Sequence, residues 1–308
     1  MPGTVWSLLA DGAFLLRVDP ALAPLAERWL PTNAARADDF EGAALLDLCP
    51  ASADAARPDA EPTFRFASTA GWLDGEGGVD LCSDSGSVAG RVEPARDRAR
   101  LHVAAGEPAA TELHDQAAVA AALLVDGLGR ALLHAAGVVG PGGAWLLAGD
   151  SRSGKSTTCV TLVDGGWDYL SDDQVVLSDA AGTVGVEGWP RRFNLDAPPP
   201  AGRALWRAAM DPRERWPGRE HRGGPLAGLL FPRIEAASPT QLAPVRPADV
   251  LGRLIRAAPW LLFGAAGASR LLALPATAAA APSYSLRLGM DSYRNPEALL
   301  RCLAPATR

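Results

Sequence analysis

The 308-residue sequence predicts a mixed α/β fold: a phosphate-loop core behind a β-rich N-terminal part. Three observations predict it. The stretch Gly149 to Thr157, GDSRSGKST, holds the only lysine of the chain, Lys155, among 29 basic residues. Its spacing of Gly149, Gly154, Lys155 and Ser156 fits G-x-x-x-x-G-K-[ST], a loop whose backbone N–H groups surround nucleotide phosphates. Lysine suits that position because a compact ammonium on a flexible stem reaches between phosphates, whereas a guanidinium is wider and its donors are fixed in a fork. The second observation is an apolar strand before the loop and a helix-forming run after it, and the third is a series of short strands and turn residues ahead of residue 110.

Taken in order, Thr4 to Leu9 and Ala13 to Val18 flank Asp11-Gly12, a hairpin signal. A helix is expected from about Ala21 to Leu30, and residues 50–61, rich in Ala, Pro and Asp, read as a surface loop. Thr63 to Phe66, Gly78 to Cys82, Gly86 to Glu93 and Arg98 to Ala104 read as strands. Apolar residues recur at helical spacing from Asp115 to Leu133, and the domain boundary is placed at 110, with domains 1–110 and 111–308. His134 follows at the end of that helix, and then Val138-Val139, the turn Pro141-Gly142-Gly143 and the strand Ala144 to Ala148 form an antiparallel hairpin that feeds the loop.

Ser156 to Val163 forms the helix whose positive end faces the phosphates, stopped by Gly165-Gly166. Trp167 to Ser171 is a strand ending at Asp172-Asp173, followed by strands at Gln174 to Leu177 and Val184 to Val186 around a Gly182 turn. Residues 197–225 carry three consecutive prolines and Arg203, Arg207, Arg213, Arg215, Arg219 and Arg222, and read as a mobile excursion. Leu226 to Phe231 returns to strand, Pro247 to Ala258 to helix, Ser283 to Leu288 to strand, and Asn295-Pro296 starts a last helix over Glu297 to Leu303.

Composition limits the function. A hydrophobic fraction of 48% implies a globular chain, and a net charge of −6 argues against a general nucleic-acid surface. Cys49, Cys82, Cys159 and Cys302 are widely spaced, so neither a zinc site nor a disulfide framework is expected, and a reduced, cytoplasmic protein is. The most apolar late segment, Ala257 to Leu274, is broken by Pro259, Gly264, Gly267 and Arg270, so no membrane span is expected.

The loop calls for a metal. Asp172 and Asp173 follow Ser156 closely enough for one helix and one strand to intervene, which returns their carboxylates to the loop. Mg²⁺ takes one or two carboxylates plus phosphate oxygens and waters, and Ser156 offers a hydroxyl ligand. Adjacent strand residues point to opposite sides, so one acid can hold the metal while the other accepts a proton from a hydroxyl. The arginines of the excursion, with Arg191 and Arg192, are candidates to clamp nucleotide or substrate carboxylates. Trp206 and Trp216 could contact a partner.

His134, the Val138-Val139 hairpin, GDSRSGKS, Gly166-Trp167 and Leu170-Ser-Asp-Asp173 resemble, in order and spacing, the catalytic domain of HPr kinase/phosphorylase, whose fold is similar to phosphoenolpyruvate carboxykinase. The stretch also resembles HPr-kinase-related proteins of peptide-modifying clusters, including kinases of lasso-peptide precursors. The resemblance covers about residues 130–177, is weaker through Trp189-Pro190-Arg191, Phe231-Pro232 and Tyr284 to Arg287, and is absent from the first hundred residues.

The resemblance implies an ATP- and Mg²⁺-dependent kinase whose acceptor is a serine of a peptide or protein, such as a ribosomally made precursor. Gly149, Asp150, Ser151, Arg152, Ser153, Gly154, Lys155, Ser156 and Thr157 would hold the nucleotide, with Lys155 on the β- and γ-phosphates. Ser156 and Asp172 would hold Mg²⁺, Asp173 would be the base, and His134 would support the site. Thr157 stands where HPr kinases usually carry an acidic residue, and the second signature motif, tied to phosphorolysis, is absent, so HPr is not the expected acceptor. Two alternatives stay open: a kinase of a small hydroxylated metabolite, and a non-catalytic ATP-binding regulatory or assembly module. No nucleic-acid or membrane partner is expected, and a homo-oligomer is compatible with the sequence.

Overall fold

The computed structural model of the protein describes residues 4–26, 34–37, 42–51, 58–189, 193–197, 206–262, 272–304 and 306. It is a mixed α/β structure, and contacts divide the chain into two compact units. The first comprises Met1–Leu132 and Pro259–Ala273, the second Leu133–Ala258 and Leu274–Arg308. The sequence reading divides the chain at residue 110; the contact division falls after Leu132 and returns a later segment to the first unit.

The first unit is a nine-stranded sheet in the order β3-β1-β2-β4-β9-β8-β7-β6-β5. Its strands are β1 (Thr4–Ser7), β2 (Phe14–Val18), β3 (Ala35–Arg36), β4 (Ala44–Pro50) and β5 (Phe64–Phe66). They continue with β6 (Thr69–Leu73), β7 (Val79–Ser83), β8 (Val88–Glu93) and β9 (Arg98–Val103). The Asp11-Gly12 hairpin forms as expected, with β1 antiparallel to β2 and Gly12 at φ +74°. The helix expected over 21–30 reduces to a 3₁₀ turn, Pro20–Leu22, and α1 (Ala23–Ala26); residues 27–30 lie outside the described residues.

A long helix, α2 (Glu107–Gly127), packs on β8, β9, β4 and β7. Five alanines between Ala117 and Ala122, interrupted by Val119, are buried, which lets the helix lie close to the sheet, and the Gln116 amide donates to Val88 O at 2.9 Å. The helix starts and stops earlier than the periodicity predicts. Gly129 at φ +71° takes the left-handed conformation that ends it, and residues from Ala131 onward are a strand, so His134 sits on a strand and not at a helix end. Strands β3, β4 and β6 lie where the sequence predicts none.

The second unit contains β10 (Ala131–Gly140), β11 (Gly143–Ala148), α3 (Lys155–Asp164), β12 (Asp168–Ser171), β13 (Gln174–Ala180) and β14 (Thr183–Trp189). A two-stranded ribbon follows, β15 (Phe193–Ala197) with β16 (Trp206–Met210), then α4 (Pro212–Arg215) and the long β17 (Gly223–Ile234). The unit ends with β18 (Gln241–Pro244), α5 (Pro247–Ala257), α6 (Ala273–Ala278), β19 (Ser283–Leu288), α7 (Met290–Arg294) and α8 (Pro296–Leu303). The expected β10–β11 hairpin is present, its turn at Pro141-Gly142. Strand β17 pairs with β14 through its first residues and with β11 through its middle, so β11, β10, β13, β14 and β17 close a circuit.

Strands β11, β17 and β19 run parallel, so their C-terminal ends share one edge, where such sheets place their ligands. The loop of Gly149 to Gly154 leaves from that edge. Helix α3 lays Lys155, Thr158, Cys159, Leu162 and Val163 into the core, the i, i+3, i+4, i+7, i+8 stripe of an amphipathic helix. Cys159, Leu162 and Val163 join Ala136, Trp145, Leu147, Tyr169 and Leu230 there.

Candidate active site

The loop is shaped by local backbone constraints. Gly154 caps α3 at φ +102°, a conformation that side chains rarely adopt, and a Cβ there would lie 2.6 Å from Leu288 Cδ1. Arg152 also takes a left-handed φ, of +63°. The first N–H groups of α3 lack intrahelical acceptors and carry the positive end of the helix dipole, so they form an anion seat. Ser153 Oγ is buried there without a hydrogen-bond partner.

Lys155 is buried, at 7% exposure, and its ammonium donates to Gly149 O at 2.8 Å and Asp150 O at 3.0 Å. These bonds fold the side chain back over its own loop. Burial pulls the ammonium pKa down, while the carboxylates of Asp173, Asp172 and Asp150 push it up. The lysine therefore sits within the field of both members of the acidic pair.

The pair lies in the turn between β12 and β13. Ser171 organises it: its hydroxyl donates to Trp189 O at 2.8 Å and accepts from the backbone N–H groups of Asp173 and Gln174 at 3.4 and 3.3 Å. The two acids then diverge. Burial raises the Asp172 carboxyl pKa to about 6, helped by the charge of Asp173 and opposed by the Ser156 hydroxyl of α3, Lys155 and His134. Its Oδ1 is buried with no hydrogen-bond partner. Asp173 faces β10, where His134 Nδ1 lies 2.9 Å from its Oδ1.

Thus Lys155, Ser156, Asp172, Asp173 and His134 come together at one end of α3. A buried carboxylate oxygen without a partner, next to a serine hydroxyl and an anion seat, is what a divalent cation would relieve, so these residues fit Mg²⁺ held by Ser156 and Asp172. Among the described residues no cluster of three or more His, Cys, Asp or Glu could hold a metal. Sequence reasoning missed Ser171. The signal was a serine at a strand end before two acids, the setting of an ST turn.

The excursion is where the structure corrects the reading. Residues 211–222 are fastened to the far end of α3: Asp164 accepts from Trp216 Nε1 and from Arg215 Nη2, each at 2.7 Å, and Arg219 Nη1 donates to Val163 O at 3.1 Å. Arg213 pairs with Asp211 at 3.0 Å. A ten-residue helix is about 15 Å long, so Arg215 and Arg219 serve the C-terminal end of α3 and not the phosphate seat. Trp216 is buried against Tyr169 and is a core residue. Arg191, Arg192 and Arg203, and the side chains of Trp206 and Arg207, lie outside the described residues.

No known protein-family signature matches the chain, and no curated protein does. Among solved structures, the Hpr(Ser) kinase/phosphatase from Coxiella burnetii aligns over 56% of this chain and 94% of its own, at 11% identity and a TM-score of 0.33. A likeness that faint lends no weight to an assignment of activity. Among the described residues no helix is long and apolar enough to cross a membrane.

Proposed function

We propose that the second unit is an ATP-dependent phosphotransferase acting on a hydroxyl, with a serine of a peptide or protein as acceptor. What supports this reading is the divergence of Asp172 and Asp173 beside the phosphate loop: one carboxylate toward Ser156 with a buried open oxygen, the other held by His134 at 2.9 Å. The N–H groups at the start of α3 and the Lys155 ammonium bind and orient the β- and γ-phosphates. Ser156 and Asp172 hold Mg²⁺, which when bound neutralises charge on the phosphates. His134 fixes the Asp173 carboxylate, which takes the proton of the acceptor hydroxyl. The hydroxyl oxygen forms a bond to the γ-phosphorus as the bond to the bridging β-γ oxygen breaks, and ADP departs.

The test uses γ-labelled ATP with separate pools of serine peptides and hydroxylated metabolites. Asp173→Asn is expected to lower the rate about 10²- to 10⁴-fold with nucleotide binding retained. Lys155→Ala is expected to lose binding itself. An Asp173→Asn protein with the unaltered rate would remove the base from the reading, and label in the metabolite pool alone would replace the acceptor. ATP bound without any transferred label would leave only a binding module.

A further inference from the structure

We infer that the open face of the first unit is a binding groove for an extended acidic peptide, read by Arg98 and Arg100. Strand β9 lies at the centre of the nine-stranded sheet and alternates strictly: Ala99, Leu101 and Val103 are buried, while Arg98, Arg100 and His102 emerge on the other face. The strand registers extend this into a charged row. Arg17 is opposite Asp47, Asp47 opposite Arg100, Arg100 opposite Arg91, and Arg91 opposite Asp80, across β2, β4, β9, β8 and β7. A groove of about 580 Å³ is lined by Asp47, Arg100, Arg91 and Asp80 of this row, together with Arg98 and Glu93.

The charges in the row are not evenly satisfied. Asp47, buried at 4% exposure, is chelated by Arg17 through bonds of 2.5 and 2.6 Å. Arg91 is held by Asp80 at 3.0 Å and by Asp74. Glu93, opposite Arg98, is taken by Arg96 at 2.9 Å. Arg100, 60% exposed, has among the described residues only a 3.9 Å approach to the already chelated Asp47, and it faces a like charge in Arg91. Like charges directly opposite repel, and a bound carboxylate turns that repulsion into attraction.

Arg98 and Arg100 are two residues apart on one strand, about 7 Å, which is also the spacing of alternate side chains in an extended peptide. The groove therefore matches carboxylates at alternate positions. Asp47, Asp80 and Glu93 interrupt the positive charge, so a nucleic-acid backbone with its continuous phosphates is a poorer match. The groove lies wholly within the first unit, and its use does not depend on the phosphotransfer proposed for the second.

The test is fluorescence anisotropy on the whole chain without nucleotide, using a labelled, C-terminally amidated peptide of alternating Glu and Thr. Its Gln-for-Glu counterpart, a free-acid form of that counterpart and a single-stranded oligonucleotide serve as comparison probes. Saturable binding of the Glu peptide is expected, weakened about tenfold or more in the Gln peptide and in Arg98→Ala/Arg100→Ala. It should also fade toward about 1 M salt, where screening acts within about 3 Å. Recovery in the free-acid Gln peptide would assign recognition to a chain terminus as the carboxylate source. Equal affinity for Glu and Gln peptides, indifference to the double substitution in a protein with unchanged circular dichroism, or tighter binding of the oligonucleotide would overturn the inference. Calorimetric titration of MgATP into the same variants reports the second unit separately, so the two proposals can fail independently.

Discussion

At the scale of single residues, Asp172 carries the cost of ionising a buried carboxyl group. Its folded-state pKa of about 6 lies above the ordinary 3.8 because burial disfavours the ionised form. The folded protein therefore binds a proton more tightly than the unfolded chain. The penalty is absent below pH 3.8, grows as pH rises between 3.8 and about 6, and is complete above that window, at about 3 kcal/mol. Asp172→Asn should thus raise the melting temperature of the metal-free protein at pH 7.5 and lose that advantage near pH 4. The same substitution should abolish the Mg²⁺ dependence of nucleotide binding. Melting curves of the two proteins across this range check the sign, and an advantage that persists at pH 4 would place its cause elsewhere. That Asp172 and Asp173 return to the side of Lys155 and Ser156 was legible in sequence, because one helix and one strand separate them. Ser171 was not, since its role is to bond the backbone of Asp173, Gln174 and Trp189.

At the scale of elements, the loop and α3 act as one piece through Gly154. Replacing it with alanine forces a side chain into φ +102° and brings its Cβ within 2.6 Å of Leu288 Cδ1. Strain of about 1–3 kcal/mol follows, enough to weaken MgATP binding about 5- to 150-fold. Calorimetry on Gly154→Ala measures this, and far-UV circular dichroism should show α3 intact. Affinity equal to that of the unaltered chain would mean that the loop reshapes without cost. Helix α3 and the β10–β11 hairpin were legible, the first from its apolar stripe and the second from Pro141-Gly142-Gly143 between two apolar runs. Strand β4 was not, because Asp47 interrupts an apolar run and reads as a break until Arg17 is known to lie beside it. The switch from α2 to β10 was misplaced because Leu128 to Leu133 is mostly apolar, and such a run fits helix and strand equally well.

At the scale of the whole molecule, the chain returns to the first unit after building most of the second, and Trp260 marks that return. A linear reading assigns each stretch to one side of a boundary, so a contact separated by 128 residues is invisible to it. Trp260 is 3% exposed, donates its indole N–H to Leu132 O at 2.7 Å and sets its ring edge-on to Phe66 with centroids 5.0 Å apart. Truncation to alanine removes the ring from that core and leaves the Leu132 carbonyl without its indole donor. A loss of about 3–5 kcal/mol is the usual result at such a site. Its location distinguishes it from general damage. Amide exchange in β5 to β9 should accelerate in Trp260→Ala while the MgATP affinity of the Lys155 loop stays within about twofold, since that loop belongs to the other compact unit. Exchange unchanged in those strands would show that residues 259–262 rest on the first unit without supporting it.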